Sequence, residues 1–169
     1  MSDAKSGSLA FTLATWVYIG HVRGREVLDP QIRAACETVT SSTDTDAAGQ
    51  ALAAALASKT GEDFEAVASL ARSLFGEAVE TELSGDREAR VREARRYQFR
   101  TQLPWLARII DRTPEGAVRP HWVLIEQVSD VVRVMDPYPW DDVDEEMDVP
   151  LTDFMVKWEL AGGHGLRFV

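Results

Sequence analysis

Cysteine is nearly absent from this sequence: Cys36 stands alone among 169 residues. One thiol cannot build a disulfide framework within the chain, nor a thiolate metal cluster. Histidine is almost as scarce, at three residues, and neither His21 nor His164 has a paired His or Cys at ligand spacing, so no metal site is expected. No apolar run reaches the roughly 18 residues of a membrane span. The start, MSDAKSGSLAF, has neither the basic region nor the small-residue cleavage site of a secretory signal. A cytoplasmic location without membrane insertion is therefore expected. Positive charge is also short, with 18 Lys and Arg against 28 Asp and Glu for a formal charge of −10. Phosphate backbones need a basic face, so nucleic acid is not an expected partner. The arginines of DREARVREARR (86–96) alternate with acids and read as a solvated helix face. The glycines of GHVRG and AGGHG lack a phosphate-loop lysine, and no cofactor is expected.

What is present reads as one domain over 1–169, helical over about 7–100 and sheet-forming over about 104–169. GSLAFTLATWVYIG (7–20) is apolar almost all the way round, as a central buried helix would be. Ser6 or Ser8 would cap it and Gly20 would end it. DPQIRAACETV (29–39) offers Asp29 as a cap and Pro30 at the first helical position. Two amphipathic helices follow the polar SSTDTD (41–46), each closed by glycine; the second lines up Phe64, Val67, Leu70, Ala71 and Leu74 on one face. Beyond Pro104, PWLARIID (104–111), HWVLIEQV (121–128) and VVRVM (131–135) have strand character. LTDFMVKW (151–158) reads as a short helix, with Thr152 or Asp153 near its start, and GLRFV (165–169) as a closing strand. Helices followed by an antiparallel sheet make an α+β fold.

The segment 119–140, RPHWVLIEQVSDVVRVMDPYPW, carries the main chemical signal. With a two-residue turn at Ser129-Asp130, Ile125 faces Val134 and Val123 faces Asp136. His121 then shares a sheet face with Asp136 as its diagonal neighbour. A three-residue loop would send Asp136 to the other face. Such a pair suits an imidazole general base oriented by a carboxylate, and equally a structural contact at a sheet end.

The C-terminal third resembles the papain-like peptidases that trim leader peptides in bacterial peptide-exporting ABC transporters. The residues that carry the resemblance are His121-Trp122-Val123-Leu124-Ile125, Val131 to Met135, Asp136-Pro137, Phe154, Trp158, and Gly165 to Val169. PWLARII matches the preceding strand. The resemblance implies a base at His121 and its orienter at Asp136. It also implies a nucleophilic Cys at the start of the N-terminal helix, counted back from Tyr18-Ile19-Gly20 to about Gly7. Ser6, Gly7 and Ser8 stand there instead, and MSDAKS holds no oxyanion-hole Gln. Cys36, in the middle of IRAACETV, reads as a small core residue and not as a substitute.

The acidic DPYPWDDVDEEMD (136–148) lacks the glycine and glutamate spacing of a calcium loop. Its Tyr138 and Trp140, with Trp122, suit a peptide-docking rim, although Trp140 could equally cover the core. Three readings follow. A peptidase-like pseudoenzyme would bind a peptide or protein partner in the remnant cleft. An active hydrolase or acyltransferase would use Ser8, His121 and Asp136 as nucleophile, base and orienter. A structural or assembly protein would carry the resemblance by accident. The balance leans away from an enzyme.

Overall fold

The computed structural model describes residues 3–81, 86–112, 115–136 and 146–169, without the side chains of 3–8, 97–99 and 146. The helices are α1 (Asp3–Val22), α2 (Pro30–Ser41), α3 (Thr45–Ala57), α4 (Phe64–Phe75), α5 (Arg87–Thr101) and α6 (Leu151–Leu160). The strands are β1 (Val79–Glu80), β2 (Trp105–Arg112), β3 (Val118–Val128), β4 (Val131–Met135), β5 (Glu146–Pro150) and β6 (Gly165–Phe168). They form one six-stranded sheet in the order β1-β6-β2-β3-β4-β5, with every pairing antiparallel. The α+β class read from the sequence is therefore the observed one. No described helix is long and apolar enough to cross a membrane.

The sheet divides two layers, because alternate residues of β2 and β3 point to opposite sides. Leu106, Trp122 and Leu124 join a core with α1 to α4. Ala107, Val123 and Ile125 join a second core with Phe154, Met155 and Trp158 of α6 and Ala94 of α5. Helix α1 lies between α3 and β3, and its all-round apolar sequence is the consequence. Leu13, Trp16 and Val17 are fully buried, as is Cys36 on α2. Burial, helped by Glu37 nearby, pushes the Cys36 thiol up to about 11. A thiol so sealed and so hard to ionise is poorly suited to nucleophilic work.

Local signals explain most helix starts. Asp29 Oδ1 accepts from the Gln31 and Ile32 amides at 2.9 and 3.2 Å, and Pro30 opens α2. Asp44 and Asp63 cap α3 and α4 through the Ala47 and Ala66 amides. Gly76, at φ 61, ends α4 as expected, whereas α3 ends at Ser58, ahead of Gly61.

Three expectations change. Helix α1 begins at Asp3, so Ser6 and Ser8 lie inside its first turns and not at its cap. It runs on past Gly20 to Val22, and Gly20 serves packing instead: a Cβ there would stand 2.5 Å from the Phe168 ring. That ring stacks on Trp16 at 4.5 Å and meets Phe75 edge-on. Strands β1 and β5 are not among the strands expected from the sequence. Val79 of β1 is core, and Glu80 accepts from Arg167 Nε at 2.8 Å, so side chains secure a two-residue strand.

Candidate functional site

His121 lies on β3 and Asp136 directly follows β4, and their side chains meet: Nε2 to Oδ2 is 2.5 Å. An ionised carboxylate only accepts, so against it Nε2 is the donor. Both residues are nearly sealed, at 4% and 8% exposure.

The register reaches this meeting by an indirect route. Val128 pairs with Val132, which leaves three residues in the loop where two were expected. A bulge between Ile125 and Gln127 absorbs the extra residue, and Ile125 again faces Val134. The hairpin turn is corrected to the longer form, while the diagonal placement of His121 and Asp136 survives. Burial records the shift, since Ile125 and Val128 are both core residues although they are three apart.

Two hydrogen bonds set the direction of α1 against this hairpin. Thr12, fully buried, donates through Oγ1 to the Trp122 carbonyl at 3.3 Å. One turn later, Trp16 Nε1 donates to the Pro104 carbonyl at 3.2 Å, and Pro104 precedes Trp105, the partner of Ile125. Helix and strand therefore run the same way. A cavity lined by Ile19, Val22 and Glu126 marks the far end of both. The first turns of α1, which carry Ser6, Gly7 and Ser8, come back toward the His121 end of β3. The side chains of Ser6 and Ser8 lie outside the described residues. His121 itself shares a face with Val123 and Ile125, on the α5 and α6 side. A group on α1 would have to reach the imidazole around the end of the sheet.

Of the expected contact residues, Trp122 is 4% exposed and belongs to the core. Its ring lies parallel to Phe64 at 6.2 Å, and its Nε1 donates to the Glu62 carbonyl at 3.3 Å. Phe64 stacks in turn on His164 at 4.5 Å. Tyr138 and Trp140 lie outside the described residues, as does most of the acidic stretch. Among the described residues no group of three or more His, Cys, Asp or Glu could hold a metal ion.

One residue was passed over. Arg108 pairs with Trp122 across β2 and β3 and points to the α1 side, as Leu106 does. Its Nε is buried without a hydrogen-bond partner among the described residues. The signal was available as a lone arginine inside the apolar strand WLARII. An unmatched guanidinium N–H on this face suits a carboxylate or carbonyl oxygen from outside.

The chain matches no protein-family model, no curated protein and no solved structure significantly.

Proposed function

We propose that this chain is a papain-like, peptidase-type domain that does not cleave, and that it binds a peptide or protein partner where the first turns of α1 approach the His121 end of the sheet. The observation that carries the reading is the sealed His121–Asp136 pair at 2.5 Å, at the strand end toward which α1 begins. Such a peptidase sets its base and orienter against a helix start; here the pair lies across the sheet from α1, at the end toward which α1 begins. The thiol that would complete it is absent, since glycine and serines stand at its expected position. Serine needs stronger base activation than a thiol. What such a cleft retains is shape, polar groups such as Arg108, and an adjoining acidic, aromatic segment.

The test is surface plasmon resonance of the folded protein against a panel of synthetic leader-like peptides. At least one should bind, and Tyr138→Ala with Trp140→Ala should weaken it about tenfold, the scale of one interface anchor. A folded preparation that engages none, or that binds equally after those replacements, ends this reading. A fluorophosphonate probe followed by intact mass covers the competing chemistry. An adduct that disappears in Ser8→Ala would make the chain a serine hydrolase or acyltransferase.

A further inference from the structure

Helix α5 is the one strongly basic element of an acidic chain, with six arginines against two glutamates in REARVREARRYQFRT. Between α5 and α6 runs a groove of about 510 Å³. Its apolar lining is Val91, Leu151 and Met155, and its polar lining is Arg87, Arg92 and Arg95 with Glu88 and Thr152. Arg87 is already spoken for, since its Nε donates to Glu159 Oε1 at 2.7 Å and ties the two helices together. Arg95 donates to the Ser129 carbonyl at 3.0 Å, which fixes its position and leaves its charge unneutralised by that neutral partner. Arg92 is exposed and forms no ion pair among the described residues.

We infer that this groove docks a short acidic segment of another protein, with one apolar side chain seated among Val91, Leu151 and Met155 and its carboxylates on Arg92 and Arg95. Charge decides the occupant. The chain as a whole carries −10 and repels a long polyanion or an anionic membrane, whose charges extend past the groove onto its 28 carboxylates. A short segment meets a rim on which three arginines outnumber the single carboxylate of Glu88. Planar guanidinium groups pair with carboxylates in two-pronged fashion, which gives orientation as well as attraction. The groove's volume lies within the usual range for sites that enclose a ligand's side chains.

His121 and Asp136 are not among the residues that line this groove. Ser129 and Asp130 lie beside it, the latter through its carbonyl accepting from the Leu151 amide at 3.0 Å. His121 is eight residues back along β3, roughly 25 Å at strand rise.

The probe is a fluorescein-labelled octapeptide, Glu/Asp-rich around a central Leu-Phe, titrated by anisotropy at 50 mM NaCl. Binding should weaken at least tenfold in R92E/R95E, and should weaken again in the wild type at 300 mM NaCl. R96E, which alters an exposed arginine of α5 outside the groove, should bind like the wild type, and L151S should bind less well. Far-UV circular dichroism checks that each variant is folded. No binding of the probe, equal loss in R96E and R92E/R95E, or tighter binding of a ten-residue oligothymidylate would each overturn the proposal. Tyr138→Ala and Trp140→Ala, which test the His121 cleft, should leave this titration unchanged.

Discussion

At the scale of single residues, the His121–Asp136 contact has consequences whether or not it serves chemistry. Both side chains are out of water, and each supplies the other with a polar partner. Removing one partner leaves the other buried beside a hole, which costs more than the net worth of the bond. Asp136→Ala should therefore destabilise the fold by about 1–3 kcal/mol, measured by urea unfolding. Asp136→Asn, which still offers an accepting oxygen, should lose less. Equal midpoints for the wild type and Asp136→Ala would mean that the pair contributes nothing to the fold. Burial of this kind also bears on function. A nearly sealed imidazole acts on nothing until a partner or a movement opens the end of the sheet.

At the scale of elements, the caps offer the cleanest prediction. The Ile32 amide, then the Gln31 amide and the Lys59 ammonium, hold the Asp29 carboxyl below its ordinary value, against a smaller opposing effect of burial. A lowered folded-state value means stability that is present above the unfolded pKa, about 3.9, and lost as pH falls through the folded value. Asp29→Ala should cost about 1 kcal/mol at neutral pH. That gap should narrow as acid titrates the wild-type carboxyl, while Asp29→Asn, a good cap without charge, should show no such pH dependence in its own capping contribution. Denaturation curves between pH 7 and pH 3 read both; a gap that stays constant would remove the titrating cap.

Elements also show which parts of the molecule were legible in the sequence. Asp29-Pro30 and the Phe64-to-Leu74 stripe could be read because capping and helical spacing are local codes. The His121–Asp136 meeting was legible for a subtler reason. Hydrophobic alternation places Val123, Ile125 and Val134 on one face, and the bulge at Ile125/Gln127 restores that face after the turn adds a residue. Burial thus overrode the turn, and the pattern of buried residues was the better guide. Gly20 misled because glycine near a helix end usually signals a stop, whereas here a distant aromatic ring requires the missing Cβ. Strand β5 was hidden since EMDVP alternates too weakly and too acidically to stand out, and its order comes from pairing with β4. Arg108 stayed invisible for the opposite reason, because an apolar strand drew the reading toward packing.

At the scale of the whole molecule, the two layers share one sheet. Leu106, Trp122, Leu124 and Leu166 face the helices α1 to α4, while Ala107, Val123 and Ile125 face α5 and α6. No strand pairing in the centre of the sheet can open without exposing both cores at once. Polar ties hold each layer to the sheet: Trp16 of α1 donates to the Pro104 carbonyl ahead of β2, and Arg167 on β6, only 6% exposed, bridges Glu80 of β1 and Glu93 of α5. Coupled cores of this kind unfold together. Urea titrations followed by far-UV circular dichroism, weighted to the helices, should therefore coincide with those followed by tryptophan fluorescence, to which Trp16 in one core and Trp105 and Trp158 in the other contribute. Leu13→Ala on the α1 side should lower the midpoint for both signals by the same amount, with a cost of about 2–5 kcal/mol for an emptied leucine site. If the circular dichroism signal moved and the fluorescence of the α6 side stayed in place, the layers would be separate folding units. The His121–Asp136 pair would then be an internal contact of the sheet and α6 alone, and α1 would have no energetic route by which a ligand at its first turns could act on it.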